Sequence, residues 1–209
     1  MPILLQGMYL TLYISGIAIV AAVTVSPILA ALQAKRVTGL RWLVVGFVNF
    51  IRNTPFPLQL VFYYFGLPSL GVHLSPMATG IIGLSIYGTA YMTENIRGGF
   101  DGIPVVQTEA AYALGFGKIS TLIGVELPAA TRRSIHASTN TIIAVLKDSS
   151  LVYFISVPEL TYTTMSLMGR TYRTVELFAF LGVAYLTMVF CLIGFLKLYE
   201  RSLRLEESI

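Results

Sequence analysis

The chain has 209 residues, of which 56% are hydrophobic and only 11% carry a charge, with a formal net charge of +4. A soluble domain carries roughly 25% charged residues and could not bury this much apolar surface, and the same composition excludes intrinsic disorder. The single cysteine, Cys191, excludes an intrachain disulfide scaffold. We therefore expect an all-α integral membrane protein with enough apolar residues for about five spans of roughly 20 residues each.

Five transmembrane helices and one single membrane domain, residues 1–209, are predicted from the apolar stretches. The first span lacks the basic start of a cleaved signal peptide, so we expect it to be retained. The second follows an interfacial helix that ends at Asn53, because Pro55 and Pro57 suit the opening of a helix. A polar loop is predicted from Glu159 to Arg173. The predicted spans cover about residues 7–33, 54–69, 77–93, 134–157 and 175–196.

The basic residues predict the orientation of these spans. With the N-terminus outside, most of the 14 Lys and Arg residues lie in cytoplasmic segments, and only Arg170 and Arg173 lie in external loops. Cytoplasmic loops of membrane proteins carry an excess of Lys and Arg. We therefore predict an N-out, C-in topology, which places the long polar loop, about residues 98–131, in the cytoplasm. The net positive charge therefore reflects the orientation of the spans and does not indicate nucleic-acid binding.

The cytoplasmic loop is predicted to form two short helices around a glycine turn. Such a hairpin is too small to hold a core, and Ala110 and Ala111 leave its surface flat beside Tyr112 and Phe116. This pattern is typical of a helix that docks into a groove on another protein. An amphipathic connector lying on the lipid surface fits the residues equally well. The predicted hairpin runs from Gln107 to Leu114, breaks at Gly115, and continues from Lys118 to Val125 before Leu127 and Pro128 stop it.

Four segments of the sequence resemble the membrane-spanning permeases of ATP-binding-cassette importers, in the branch for polar amino acids such as histidine, glutamine and glutamate. The loop segment Glu109-Ala110-Ala111, followed by Gly115 and Leu127-Pro128, is similar to that family's coupling-helix motif. Val106, Ala129 and His136 depart from the residues usual in the family. The other three segments are Arg52-Asn53-Thr54-Pro55 with Tyr64-Phe65-Gly66-Leu67-Pro68, Glu94-Asn95-Ile96-Arg97-Gly98-Gly99, and Lys147-Asp148-Ser149-Ser150-Leu151.

The resemblance implies a type I importer permease, a multi-pass protein of the bacterial plasma (inner) membrane that forms the path for a polar amino acid. It implies partners: two ATPase subunits, a second permease subunit that is identical or homologous, and an extracytoplasmic solute-binding protein. This chain would bind no cofactor itself, because ATP and Mg belong to the partner ATPase. The residues that would couple ATPase motion to alternating access are Glu109, Ala110, Ala111, Gly115, Leu127 and Pro128.

Polar residues inside the predicted spans mark a candidate translocation path, since such groups usually face the bundle interior or a wet cavity. His136, Asn140, Lys147 and Ser150 fall on one stripe of the fourth span at 100° per residue. Interhelical bracing is the alternative role for Lys147 and for the Tyr and Gln residues. Glu94 or a second subunit could pair with Lys147. The candidate path comprises Gln59, Tyr63, Tyr87, Tyr91, Glu94, His136, Asn140, Lys147, Asp148 and Ser150.

No catalytic or metal centre is predicted. Gly115-Phe116-Gly117-Lys118 lacks both the earlier glycine and the following Ser or Thr of a phosphate-binding loop. His73 and His136 are isolated, so no metal site is expected, and the chain is expected not to be an enzyme. The alternative function is an ATP-independent secondary transporter or channel subunit, which would be expected to show inverted repeats and broken helices.

Overall fold

The computed structural model describes residues 2–34 and 39–205, with side chains through Leu198. Within those ranges ten α-helices follow one another, joined in places by short π or 3₁₀ turns. The α-helices are α1 (Pro2–Ala34), α2 (Leu40–Asn53), α3 (Phe56–Val61), α4 (Pro76–Asp101), α5 (Val105–Ala113), α6 (Lys118–Thr121), α7 (Leu127–Arg133), α8 (Ile135–Asp148), α9 (Leu160–Thr171) and α10 (Thr174–Leu205). The π turns are Phe62–Gly66 and Leu122–Glu126, and the 3₁₀ segments are Leu67–Leu70 and Ser149–Ile155.

Two of the predicted spans are continuous helices long and apolar enough to cross a membrane. These are Pro2–Ala34, with 33 residues, and Thr174–Leu198, with 25. A third apolar stretch is bent by 50° between Ile135–Ile155 and Leu160–Thr171. The count of five spans and the N-out topology stay predictions.

The segment predicted as the second span is not a plain α-helix. Thr54 is extended, so α2 and α3 are separate helices and the chain turns at the proline pair. α3 passes into the π turn Phe62–Gly66 and then into the 3₁₀ segment Leu67–Leu70. Pro68 has no N–H and would clash with a carbonyl one α-turn earlier. The wide π turn removes that clash, because the Leu67 N–H bonds to the Phe62 carbonyl five residues back.

The third predicted span lies within a longer helix, because α4 runs from Pro76 to Asp101. Its last two turns are held by the Arg97 guanidinium, which pairs with Glu94 three residues before it and with Asp101 four residues after it. Such i, i+3 and i, i+4 pairs stabilise a helix. The helix stops at Gly102, two residues before Pro104.

The segment predicted as a second polar loop is largely helical. α9 covers Leu160–Thr171, so the loop prediction for Glu159–Arg173 was wrong over those residues. The helix forms because the Glu159 side chain caps it, accepting hydrogen bonds from the backbone N–H groups of Thr161 and Tyr162. Capping residues of this kind satisfy the first N–H groups of a helix, which have no partner within it.

The described chain divides by its internal contacts into two units. Unit 1 comprises residues up to Ile19, Pro55–Ser85 and the part from Ile142 onward, whereas unit 2 comprises Val20–Thr54 and Ile86–Thr141. The core of unit 1 is a cluster of Leu4, Leu146, Leu160, Ala184 and Met188.

Small residues let helices approach closely in unit 1. A Cβ atom on Gly83 would lie 2.8 Å from Cδ2 of Leu60, and one on Gly80 would lie 3.4 Å from Val152. Helix association in lipid depends on this kind of close packing.

Unit 2 contains the amphipathic helix α2 and the C-terminal part of α4. Val44, Val48 and Ile51 form the buried face of α2. Gly99 of α4 touches the backbone of Ala130 in α7, so these two helices cross at contact distance. Asn95 donates from Nδ2 to the Ala137 carbonyl at 3.0 Å and to Thr141 Oγ1 at 2.8 Å, which joins α4 to α8.

Candidate functional site

The hairpin formed by α5 and α6 has the predicted helix, glycine turn and second helix. α5 ends at Ala113, and Gly115 takes a positive φ of 85°, which only glycine adopts without strain. The Gly115 N–H bonds to the Tyr112 carbonyl at 2.9 Å and the Phe116 N–H to the Ala111 carbonyl at 3.1 Å. The turn is thus a helix C-cap that redirects the chain into α6.

The end of the hairpin differs from the prediction. Leu127 and Pro128 do not stop the helix, because Leu122–Glu126 is a π turn that leads into α7. The Leu127 N–H bonds to the Leu122 carbonyl, so Pro128 enters the next helix at a position where its missing N–H costs nothing.

The hairpin presents an apolar surface. Glu109, Ala110 and Gly115 are exposed, whereas Ala111 is buried. The docking surface, as we name it, is a set of exposed apolar side chains on both arms of the hairpin: Val105, Val106, Leu114, Phe116, Ile119 and Ile123. Exposed apolar patches of this kind mark interaction sites.

A side-chain hydrogen bond joins the two arms of the hairpin. Thr108 Oγ1 donates to Glu126 Oε1 at 3.1 Å, and Glu126 is 5% exposed. Together with the contact between Gly99 and Ala130, this bond connects α5 to α4 through α7. A chain of direct contacts therefore runs from α5 to the helix that carries Glu94.

Glu94 is the centre of an ion-pair cluster in unit 2. Its Oε1 accepts from Arg97 Nε at 2.9 Å, and its Oε2 lies 3.9 Å from a guanidinium nitrogen of Arg52 and 3.5 Å from Gln33 Nε2. The hydrogen bond to Glu94 raises the pKa of Arg97 further above its ordinary value, so this guanidinium stays charged. The two arginines are therefore the partners of Glu94 in unit 2.

Two tyrosines of the candidate path stand beside this cluster. The rings of Tyr87 and Tyr91 lie 4.7 Å apart, and the Arg52 guanidinium sits 5.4 Å from the centre of the Tyr91 ring. The Tyr91 hydroxyl also donates to the Arg52 carbonyl at 3.4 Å. The predicted face of Tyr87, Tyr91 and Glu94 thus gathers around Arg52 at the end of α2, in a cation–π arrangement.

The other candidate path residues belong to different parts of the chain. Gln59, Tyr63, Lys147, Asp148 and Ser150 lie in unit 1, where α3 packs against the 3₁₀ segment that follows α8. Gln59 is buried and Lys147 is exposed. His136 and Asn140 lie in unit 2, and both are exposed. The roles of these residues stay predictions.

A buried carboxylate in unit 1 was not predicted from the sequence patterns. Glu159 is fully buried, and beyond its cap of α9 it accepts from the Tyr185 hydroxyl at 3.0 Å and from Thr11 Oγ1 at 3.4 Å. The Leu160 N–H in turn donates to Thr11 Oγ1 at 3.1 Å. Glu159 therefore ties α1, α9 and α10 together. Its partners lie 148 residues before it and 26 after it, beyond the reach of a local pattern.

Comparisons with known proteins agree with this architecture. Residues 14–205 match the family model described as the binding-protein-dependent transport system inner membrane component. The L-cystine transport system permease protein TcyB of Bacillus subtilis is 30% identical over 100% of this chain and 88% of its own length. The glutamine transport system permease protein GlnP of Escherichia coli is also 30% identical, over 98% of this chain and 94% of its own length.

A solved structure shows the same fold. The crystal structure of an amino acid ABC transporter with histidines superposes with a TM-score of 0.87 at 27% identity, covering 96% of this chain and 94% of the other. Because the family model spans more than nine-tenths of the sequence, the chain belongs to the family of inner membrane components of binding-protein-dependent transport systems.

Proposed function

We propose that this chain is one permease subunit of an ATP-driven importer that carries a polar amino acid across the bacterial inner membrane. The observation that carries the proposal is the exposed α5 hairpin with its glycine turn, in a chain similar over its whole length to the cystine permease protein of Bacillus subtilis. A glutamine permease protein and an amino acid ABC transporter are similar as well, which supports an amino acid as the substrate class.

The proposed assembly has two ATPase subunits, a second permease subunit, identical or homologous, and an extracytoplasmic solute-binding protein. ATP and Mg are held by the ATPase, so this chain has no catalytic role. The docking surface supports such a partner, because Val105, Val106 and Leu114 are each at least two-thirds exposed on one short segment. Apolar anchors on a helix are what a groove on a partner protein binds.

Coupling would proceed from the hairpin into the membrane. ATP binding closes the ATPase pair, and α5 moves with the cleft that holds it. The bond between Thr108 and Glu126, and the contact between Gly99 and Ala130, then carry that movement to α4. Alternating access follows when the spans rock between inward-open and outward-open states.

The proposed translocation path uses the polar residues of α3, α4 and α8. In unit 2 the Glu94 cluster offers both a carboxylate and the Arg52 guanidinium beside two tyrosine rings. In unit 1 Lys147 stands on α8 with its side chain exposed rather than packed in that unit. A free ammonium in a span is costly unless it meets water, a ligand or a partner.

The test is transport by the reconstituted assembly. The chain is co-expressed with its chromosomal neighbours, purified with the ATPase and the solute-binding protein, and placed in proteoliposomes. We expect uptake of radiolabelled L-glutamine, L-cystine or L-arginine that requires ATP inside the vesicle. Absence of an ATPase from the purified complex, or uptake driven by an ion gradient without ATP, contradicts the proposal and favours a secondary transporter or channel.

A charge reversal on the hairpin makes the test specific. In Glu109→Lys we expect the protein to insert and assemble, and ATP-dependent uptake to be lost, because the exposed Glu109 faces the docking partner. Glu176→Lys is the matched control, since Glu176 is an exposed acid in the first turn of α10. Equal uptake in the two variants would remove the coupling role assigned to α5.

A further inference from the structure

A polar cavity of about 500 Å³ lies within unit 2, between the end of α1, the start of α2 and the last turns of α4. Its volume falls in the range of about 300–1,000 Å³ that is usual for small-molecule sites. The groups that give it its chemistry are Gln33, Arg41, Glu94, Arg97, Asp101 and Glu126. On the predicted topology this is the cytoplasmic end of the unit.

Buried polar atoms of Gln33 and Arg41, which both line this cavity, have no hydrogen-bond partner among the residues that the structure describes. One is Nε of Arg41, a donor, and the other is Oε1 of Gln33, an acceptor. Gln33 is only 8% exposed, so its free oxygen is not simply a surface group. Buried polar groups in native proteins are nearly always bonded, and exceptions call for an explanation such as a missing ligand.

The other charged groups that line the cavity do not form a hydrogen bond with either of these two atoms. Arg97 is committed to Glu94 at 2.9 Å and to Asp101 at 2.7 Å. Oε2 of Glu94 has only long contacts, to Gln33 at 3.5 Å and to Arg52 at 3.9 Å. The cavity therefore holds a cationic donor in Arg41 and a neighbouring pair of acceptors in Gln33 and Glu94.

We propose that this cavity binds a free α-amino acid in its zwitterionic form, with the carboxylate on Arg41 and the ammonium between Gln33 and Glu94. A simple anion would leave the Gln33 oxygen unsatisfied, and a simple cation would leave the Arg41 donor unsatisfied. A molecule with both groups satisfies both. The inference rests on the proposed function in taking the transported class as amino acids, and it adds a second site for them on the cytoplasmic side.

The cavity is joined to the coupling hairpin. Glu126 lines it and at the same time accepts the hydrogen bond of Thr108, the residue before Glu109 in α5. An occupant of the cavity therefore lies one side chain away from α5. The amino acid delivered to the cytoplasm would act back on coupling through this contact, so occupancy is expected to change ATPase activity.

Binding to the purified complex in lipid nanodiscs, without solute-binding protein or ATP, tests the site. Radiolabelled L-glutamine, L-cystine and L-arginine are the probes in equilibrium dialysis. For the one that binds, its N-acetyl derivative lacks the ammonium and its α-carboxamide lacks the carboxylate. We expect both derivatives to compete at least about tenfold more weakly. Equal competition by either derivative, or no binding of any of the three amino acids, overturns the proposal.

Two cavity variants assign the binding to these residues. Arg41→Lys keeps the charge but removes Nε, and Gln33→Met keeps the length but removes the acceptor. Each is expected to weaken binding at least about tenfold, whereas Arg170→Lys, the same exchange at an exposed position in α9, leaves it unchanged. Unchanged binding in both cavity variants overturns the site.

Protection of a cysteine gives a second measurement that does not depend on these variants folding. In a Cys191→Ser background, Val45→Cys places a thiol at the cavity wall, and Glu176→Cys places one on the exposed start of α10. Bound amino acid should slow maleimide labelling at residue 45 and not at residue 176. Loss of ATP-dependent uptake in the wild-type complex would count against the proposed function, whereas normal uptake without protection at residue 45 counts only against this site.

Discussion

Gly99 of α4 lies against the backbone of Ala130 in α7, so near that a Cβ atom on Gly99 would fall 2.9 Å from the carbonyl carbon of Ala130. Its neighbour Gly98 has open space at the same place, with no atom within 4 Å of a Cβ. Two adjacent glycines on one helix therefore have opposite tolerance for a side chain, and this crossing packs α7, which follows the hairpin, against α4.

Gly99→Ala is expected to destabilise the protein, because backbone rather than a flexible side chain would have to move. Overpacking of this kind costs about 1–3 kcal/mol. The loss of stability is measured by heating the purified protein in detergent and monitoring unfolding by size-exclusion chromatography. Gly98→Ala serves as the control. The crossing would be less tight than described if both variants melt at the wild-type temperature.

Gly115→Pro is expected to uncouple transport from ATP hydrolysis. Proline fixes φ near −65° and has no N–H, whereas Gly115 has a φ of 85° and donates to the Tyr112 carbonyl. The turn must open, and α5 will be presented at another angle. Uptake per ATP hydrolysed, measured in proteoliposomes, should fall well below that of Gly117→Ala, a change at a glycine with a negative φ. Wild-type coupling in Gly115→Pro would show that the turn plays no part.

Lys147→Ala is expected to lower the uptake rate. Loss of one hydrogen bond to a charged group corresponds to about tenfold or somewhat more. The control is Lys197→Ala, which removes an exposed lysine from the last turns of α10. Initial rates of labelled amino-acid uptake decide the matter, and rates equal to wild type would remove Lys147 from both the path and the bracing role.

Glu159→Ala is expected to cost far more stability than Tyr185→Phe. The first change removes the acceptor of the buried Thr161 N–H, at about 1–3 kcal/mol, and also removes the hydrogen bonds that Glu159 accepts from the Tyr162 N–H and the Tyr185 hydroxyl. The second removes a single hydroxyl. Melting temperatures in detergent should rank wild type, Tyr185→Phe and Glu159→Ala in falling order, with exposed Glu176→Ala close to wild type. A reversed order would mean that Glu159 is not the centre of this cluster.

Sequence patterns predicted features that depend on local residues. The long apolar helices α1 and α10 follow from composition, and the turn at Gly115 follows from the residues within it. The extension of α4 to Asp101 needed the ion pairs of Arg97, whose geometry depends on the helix already being formed. The carboxylate at Glu159 was placed in a loop because its partner Thr11 is distant in sequence.

The cavity beside Glu94 could not be predicted for the same reason. Gln33 and Arg41 precede Glu94 by more than fifty residues, and the local sequence around each one explains it without a binding site. Gln33 ends an apolar span, and Arg41 opens an interfacial helix as one of many basic residues. They line one cavity only because the folded chain brings parts of α1, α2 and α4 together in unit 2.

The π turn at Leu122–Glu126 determines the directions in which the side chains after it, along this helical stretch, face. A π turn is an α-helix with one residue inserted, so it advances the helical wheel by about 100° relative to an uninterrupted count. Removing Gly124 would restore the regular period and swing Thr108's partner Glu126 toward another side of the helix. A relative of this chain that is one residue shorter here would therefore need a different acceptor for its hairpin, because the residues after the turn would face about 100° away from their direction in this chain.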